Sequence, residues 1–376
     1  MLIVADENMP CVSEWFAPLG AVVTAAGRDL DALAVRDADV LLVRSVTQVD
    51  ADLLAGSRVR FVGSATIGTD HLDTAYLDAA GIAWANAPGC NANAVVDYVL
   101  SALCAQANLL DRLLDGRAKA GIVGLGNVGS RLRQRLGALG IACVGYDPLL
   151  PVATDEFAAV LDCDVVCCHT PLTRGGAFPT FHQFDAEALA QLERRGSVLI
   201  NAGRGAAVDS AALLAALRRG QLRAVLDVWE GEPAIELDLL DAVDIGTPHI
   251  AGYSLDGKRA GTRMVLEACC RFLDAPIPAL PGAADAPSVR VPPHAHAAAQ
   301  LRAAVQAVYD IRGDDARLRT ALADAASGQR GAAFDALRRH YPERREIAAC
   351  GVANWSELAE QSRGWLRRLG FSVPRD

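Results

Sequence analysis

The sequence predicts an α/β protein with two doubly wound parallel-sheet domains and a small third α/β domain at the C-terminal end. Three observations lead there. At 376 residues the chain exceeds one ordinary core. Short apolar runs alternate with helix-like segments over most of its length, the pattern of parallel strands joined by crossover helices. A proline cluster (Pro276, Pro278, Pro281, Pro287, Pro292 and Pro293) then sets off a helix-rich remainder.

In the first domain, strands are expected at 2–5, 38–44, 59–64 and 82–86, a set of four, with helices such as 13–19 and 51–54 between them. Residues 91–114 carry a helical pattern without proline, read as one long helix bridging two domains. A second series follows, with strands at 120–123, 142–146, 165–169, 197–202, 224–228 and 244–246. Six strands with intervening helices match a complete dinucleotide-binding domain. Residues 257–273 are expected to form a helix returning to the first domain, and 297–310, 331–340 and 355–369 the helices of the last. The boundaries are 1–92 with 256–285 for the first domain, 93–255 for the second and 286–376 for the third.

Composition limits the function. A net charge of −9 lacks the concentrated basic surface that nucleic acid requires. No apolar run is long enough to span a bilayer. The first residues have neither a basic n-region nor a long apolar stretch, so no signal peptide is expected and the cytoplasm is the expected compartment. The ten cysteines include the adjacent pairs Cys167–Cys168 and Cys269–Cys270 but no Cys-x-x-Cys. Buried reduced thiols are expected, with no metal.

The run GLGNVG at 124–129 follows a predicted strand and opens a predicted helix. That context lifts a glycine pattern above chance in a chain of 33 glycines. Gly124 permits the tight turn, Gly126 lets a pyrophosphate approach the backbone, and Gly129 lets helix and strand pack closely. Asp147 lies 18 residues beyond Gly129, at the end of the next strand. A carboxylate there accepts hydrogen bonds from ribose hydroxyls and repels a 2′-phosphate, which favours NAD over NADP. The bland alternative is that Asp147 only opens the Asp147-Pro148 turn.

Parallel sheets bind ligands at the carboxyl ends of their strands. Arg204, Glu232 and His249 each follow a predicted strand. Oxidation of a secondary alcohol suits them: His249 as base for the hydroxyl proton, Glu232 to orient the ring, and Arg204 to hold a carboxylate and polarise the reacting oxygen. Each has a rival. His169 also sits at a strand end, Glu230 neighbours Glu232, and His71, His182, His294, His296 and His340 read as structural.

At these residues the chain resembles the D-2-hydroxyacid dehydrogenases, whose motifs match NAGRG (201–205), DVWEGEP (227–233) and TPHIAG (247–252). ADENMP (5–10), VRSVT (43–47), GTDHLD (68–73), APGCNANAVVDYV (87–99), HIAGYSLDGK (249–258), YDIRGDDARLR (309–319) and YPERRE (341–346) resemble a branch acting on 4-phospho-D-erythronate. Ile67 and Gly313 depart from that pattern.

The resemblance implies a flavodoxin-like substrate domain, a Rossmann NAD domain and a C-terminal dimerisation domain, in a homodimer. It assigns catalysis to Arg204, Glu232 and His249. Cofactor contacts fall on Gly124, Gly126, Asn127, Val128, Gly129, Asp147, Thr170, Ala202, Gly203, Arg204, Asp227 and Gly252. Substrate contacts fall on Ser45, Thr66 and Tyr253. Two alternatives remain at this point. One is another phosphorylated 2-hydroxyacid dehydrogenase such as 3-phosphoglycerate dehydrogenase; the other is an NAD(H)-sensing regulatory protein on the same fold.

Overall fold

A computed structural model describes residues 1–106, 108–151, 154–280, 287–293 and 295–373. His294 and residues 281–286 of the proline-rich stretch lie outside the described residues. The chain forms two compact units, 1–91 with 254–285 and 92–253 with 286–376.

The first unit holds five parallel strands: β1 (Leu2–Asp6), β2 (Ala21–Ala25), β3 (Val40–Val43), β4 (Phe61–Ser64) and β5 (Ala83–Ala85), in the order β2-β1-β3-β4-β5. This is the flavodoxin-like order. Alternate residues point to opposite faces. Val4, Leu41, Val43 and Val62 pack with Leu54 and Leu77, whereas Ile3, Val40, Leu42 and Phe61 pack with Val265, Leu266 and Cys269 of the helix Leu255–Phe272. Gly63 makes that second contact possible, since a Cβ there would lie 2.3 Å from a Val265 methyl.

The second unit is built on β6 (Ala120–Val123), β7 (Cys143–Tyr146), β8 (Val165–Cys168), β9 (Val198–Asn201), β10 (Arg223–Leu226) and β11 (Ile245–Gly246). All pairings are parallel, in the order β7-β6-β8-β9-β10-β11. Buried on both faces, the strands read as continuous apolar runs. The order reverses between β6 and β8, which makes their carboxyl ends the switch point where ligands bind. The same unit contains a two-stranded parallel sheet, β12 (Ser288–Val289) with β13 (Gly351–Val352), and the helices Ala297–Val308, Ile311–Asp324, Arg330–Arg339 and Glu360–Leu369.

Three expectations about elements need correction. The first sheet has five strands, not four; β2 lies at the sheet edge, with Val23 52% exposed, and its run AVVTA carried the missed signal. The long helix at 91–114 is two helices, Ala92–Ala105 and Leu109–Leu114. Asn108 begins the second in the left-handed region at φ 57°, a conformation asparagine tolerates, so no proline was needed for the break. The segment 355–369 is a 3₁₀ turn, Trp355–Glu357, followed by the helix Glu360–Leu369.

All ten cysteines are free thiols. Among the described residues no helix is long and apolar enough to cross a membrane, and no group of three or more His, Cys, Asp or Glu is placed to hold a metal ion.

Candidate active site

Because β6 to β11 run parallel, the predicted residues of this unit share one sheet edge. The glycine turn follows β6, Asp147 follows β7, Thr170 follows β8 and Ala202–Arg204 follow β9, while Asp227 follows β10 and His249 follows β11.

The turn has the geometry a dinucleotide needs. Gly124 has φ +84°, and a Cβ there would approach the His169 carbonyl to 3.0 Å. A Cβ on Gly129 would lie 1.9 Å from the Gly124 oxygen, so only glycine lets the helix Asn127–Ala138 start so close to the strand. Gly126 differs: a Cβ there would meet nothing within 4 Å. That open space at a helix N-terminus suits a pyrophosphate. The Asp147 carboxylate accepts hydrogen bonds from the amides of Leu125 (2.9 Å) and Leu149 (3.1 Å). It therefore braces the glycine turn and shapes its own turn, and an ionised carboxylate keeps further lone pairs for ribose hydroxyls.

Arg204 stands on a turn shaped by Asn201, whose amide donates to the Arg204 carbonyl (3.1 Å) while its oxygen accepts from Gly203 N (3.1 Å). Gly205 brings this turn against the next one; a Cβ there would sit 2.1 Å from the Trp229 carbonyl carbon. Gly203 likewise packs closely on the backbone of Cys168 to Thr170, where the Thr170 hydroxyl lies 3.5 Å from Cys168 Sγ.

Glu232 Oε1 and His249 Nδ1 are 2.7 Å apart, and Glu232 Oε2 accepts from Trp229 N at 3.4 Å. The carboxylate thus selects the tautomer with a proton on Nδ1 and leaves Nε2 as the basic nitrogen, which bonds to no described residue. His249 has φ +56°, an uncommon backbone for a non-glycine residue. Asp227 sets it: its carbonyl accepts from His249 N (2.8 Å), and its carboxylate accepts from Ile250 N (2.8 Å), Ala251 N (2.9 Å) and the Thr247 hydroxyl (2.7 Å). Burial pushes the Asp227 carboxyl up, opposed by His249 and by these donors.

The rivals have other partners. Glu230 Oε1 lies 2.9 Å from His182 Nε2 and its Oε2 accepts from Ser210 N, which ties this acid to the neighbouring loop. His169 has both ring nitrogens buried without a described hydrogen-bond partner, and burial draws its pKa down to about 4. Among the described residues no carboxylate bonds to its ring.

Tyr253 also lies in this unit, its ring edge-on to Tyr341 at 5.7 Å, and Gly252 precedes it. Ser45 and Thr66 belong to the first unit. Ser45 is exposed in the turn after β3. The Thr66 hydroxyl lies 2.7 Å from Ser64 Oγ and donates to the Gly68 carbonyl; Ser64 in turn reaches His71 Nε2 at 2.8 Å. Sequence reasoning passed over Asn201, Gly205 and Thr247, although all three lie inside the motifs it singled out.

A dinucleotide turn at the switch point, with an arginine and a glutamate–histidine pair on later strand ends, defines an NAD-dependent dehydrogenase of the 2-hydroxyacid type. Residues 104–251 match the family model "D-isomer specific 2-hydroxyacid dehydrogenase, NAD binding domain", and residues 283–370 match "Domain of unknown function (DUF3410)". The erythronate-4-phosphate dehydrogenase of Cellvibrio japonicus is 50% identical over 382 aligned residues, covering 99% of each chain. That of Edwardsiella ictaluri is 51% identical over 390, again covering 99% of each. The fold is also that of a D-lactate dehydrogenase from Aquifex aeolicus, solved with NAD and lactic acid (TM-score 0.59, 21% identity, 73% of this chain and 96% of that one). The chain belongs to the erythronate-4-phosphate dehydrogenase family of D-isomer-specific 2-hydroxyacid dehydrogenases.

Proposed function

We propose that this chain oxidises the C2 hydroxyl of 4-phospho-D-erythronate to give 2-oxo-3-hydroxy-4-phosphobutanoate and NADH, a step of pyridoxal 5′-phosphate (vitamin B6) biosynthesis. The observation that carries the chemistry is the 2.7 Å pair of Glu232 and His249 on the sheet edge that also bears the glycine turn. The names of relatives about half identical over 99% of their length support the substrate.

In this reading His249 Nε2 takes the hydroxyl proton as the C2 oxygen becomes a carbonyl, and Glu232 stabilises the imidazolium that forms. Arg204 binds the substrate carboxylate and polarises the C2 oxygen. Bound NAD⁺ supplies the acceptor for the C2 hydride. Gly124, Gly126, Asn127, Val128 and Gly129 hold its pyrophosphate and Asp147 its ribose. Thr170, Ala202, Gly203, Arg204, Asp227 and Gly252 make the remaining cofactor contacts, and Ser45, Thr66 and Tyr253 contact substrate. We read 1–92 with 256–285 as the substrate domain, 93–255 as the NAD domain and 286–376 as the dimerisation domain of a cytoplasmic homodimer.

The test is NADH formation, followed by absorbance, with 4-phospho-D-erythronate and with 3-phosphoglycerate in parallel. Turnover of the first is expected. Turnover of 3-phosphoglycerate alone would overturn the substrate, and NADH binding without turnover of any 2-hydroxy acid would favour a sensing role.

A further inference from the structure

The motifs YDIRGDDARLR and YPERRE have no part in the chemistry above, yet their side chains reach the segment that carries His249. That segment is weakly held by its own sheet. It leaves β11, a two-residue edge strand paired only with β10. Within three residues it must place His249 at φ +56°. Such a backbone persists only where surrounding structure over-determines it.

Asp227 holds the segment from the inside. From the outside two residues of the last 90 hold its ends. Asp315, on the helix Ile311–Asp324, accepts from Gly246 N through Oδ1 at 2.8 Å. It replaces the strand that this sheet edge lacks. Arg319 fixes Asp315 through Nε at 2.9 Å and spends its other nitrogens on the carbonyls of Leu240 (2.8 Å) and Val243 (3.0 Å). Arg344 is buried, and its Nη2 donates to the Ala251 carbonyl at 2.5 Å and to the Ala94 carbonyl at 3.2 Å. Its guanidinium lies 4.2 Å from the centre of the Tyr309 ring, which orients it. Tyr309 and Tyr341 both donate to Asp314 Oδ2, at 2.7 and 2.8 Å, and this ties the two motifs together.

We propose that the segment of unknown function is a working part of the active site, and that Asp315 and Arg344 are positioning residues clamping the His249 segment at Gly246 and Ala251. The proposal rests on the reading of His249 as the base. Misplacing a reacting group by about 1 Å costs on the order of 100-fold in rate.

Asp315→Ala, Asp315→Asn and Arg344→Lys are compared with His249→Gln by kcat with 4-phospho-D-erythronate, NADH affinity and Tm. Asp315→Ala and Arg344→Lys are expected to lower kcat about 10- to 100-fold while NADH affinity stays within about twofold. Asp315→Asn keeps an acceptor for Gly246 N and is expected to recover most of the rate. A purely structural role would lower Tm without this split. If His249→Gln is inactive while Asp315→Ala and Arg344→Lys turn over like the parent, the proposal is overturned. It also falls if neither variant binds NADH stoichiometrically, because the segment then serves folding alone. A nearly fully active His249→Gln would instead overturn the reading of the base.

Discussion

Glu232 holds His249 through a single 2.7 Å contact from Oε1 to Nδ1, so the ring nitrogen left for the proposed proton transfer is fixed by a carboxylate on a different loop. Glu232→Gln retains the size and an acceptor oxygen but removes the charge that, in the proposed mechanism, stabilises the imidazolium. Hydrogen bonds to charged groups contribute about 1.5–3 kcal/mol, so kcat is expected to fall about 10- to 100-fold. NADH affinity should not change. Steady-state kinetics with a parallel NADH titration checks this, and an unaltered kcat would remove Glu232 from the role.

The glycines of the turn separate binding from folding. At Gly126 a methyl group meets no atom of the described residues beyond its own turn within 4 Å, so Gly126→Ala should leave Tm nearly unchanged while weakening NADH binding at least about tenfold by intruding on the proposed pyrophosphate site. At Gly129 the same methyl would lie 1.9 Å from the Gly124 oxygen. Gly129→Ala should therefore unfold at a temperature lower by several degrees, at a cost of about 1–3 kcal/mol for overpacking. Equal Tm values for the two variants would contradict this division.

Much of this was legible because parallel strands buried on both faces are continuous apolar runs and because the residues proposed for the chemistry sit in short motifs at their ends. Residues 120–123 and 51–54 were located to the residue. The glutamate–histidine pair could be suspected from two strand ends, but the choice of Glu232 over Glu230 needed geometry: the two acids are two residues apart, and only the fold sends Glu230 to His182. The edge strand β2 and the break at Asn108 escaped for local reasons, exposure in one case and a tolerated left-handed asparagine in the other. The grip of Asp315 and Arg344 on the His249 segment spans 69 and 93 residues of sequence, and no periodicity encodes contacts of that range.

Reduced, shielded thiols follow from the fold as well as from composition. Seven of the ten cysteines are buried, and Cys11, Cys90 and Cys143 are partly exposed. Burial pushes Cys104 up to about 12 and Cys143 up to about 11, which suppresses the reactive thiolate. Titration of the native protein with a disulfide reagent should show no more than three fast-reacting thiols, and all ten after denaturation without reductant. Fewer than ten in the denatured chain would reveal a disulfide.

A buried acid on the helix Ala92–Ala105, Asp97, couples stability to pH. Burial raises the Asp97 carboxyl from 3.8 to about 7, opposed by the hydrogen bond from Ile347 N (2.8 Å), and Glu346 adds to the rise while Arg344 and Arg135 oppose it. Between those two values the folded protein binds more protons here than the unfolded chain does. Stability from this group is therefore fullest below the unfolded value and declines as pH rises through the folded one. Asp97→Asn keeps an acceptor for Ile347 N and carries no titrating charge. Its Tm relative to the parent should rise on going from about pH 5 to about pH 8, by a few degrees for each kcal/mol relieved. Thermal melts of both proteins at the two pH values provide the check; a Tm difference that is the same at both, or larger at the acidic one, would show that Asp97 does not titrate in this range.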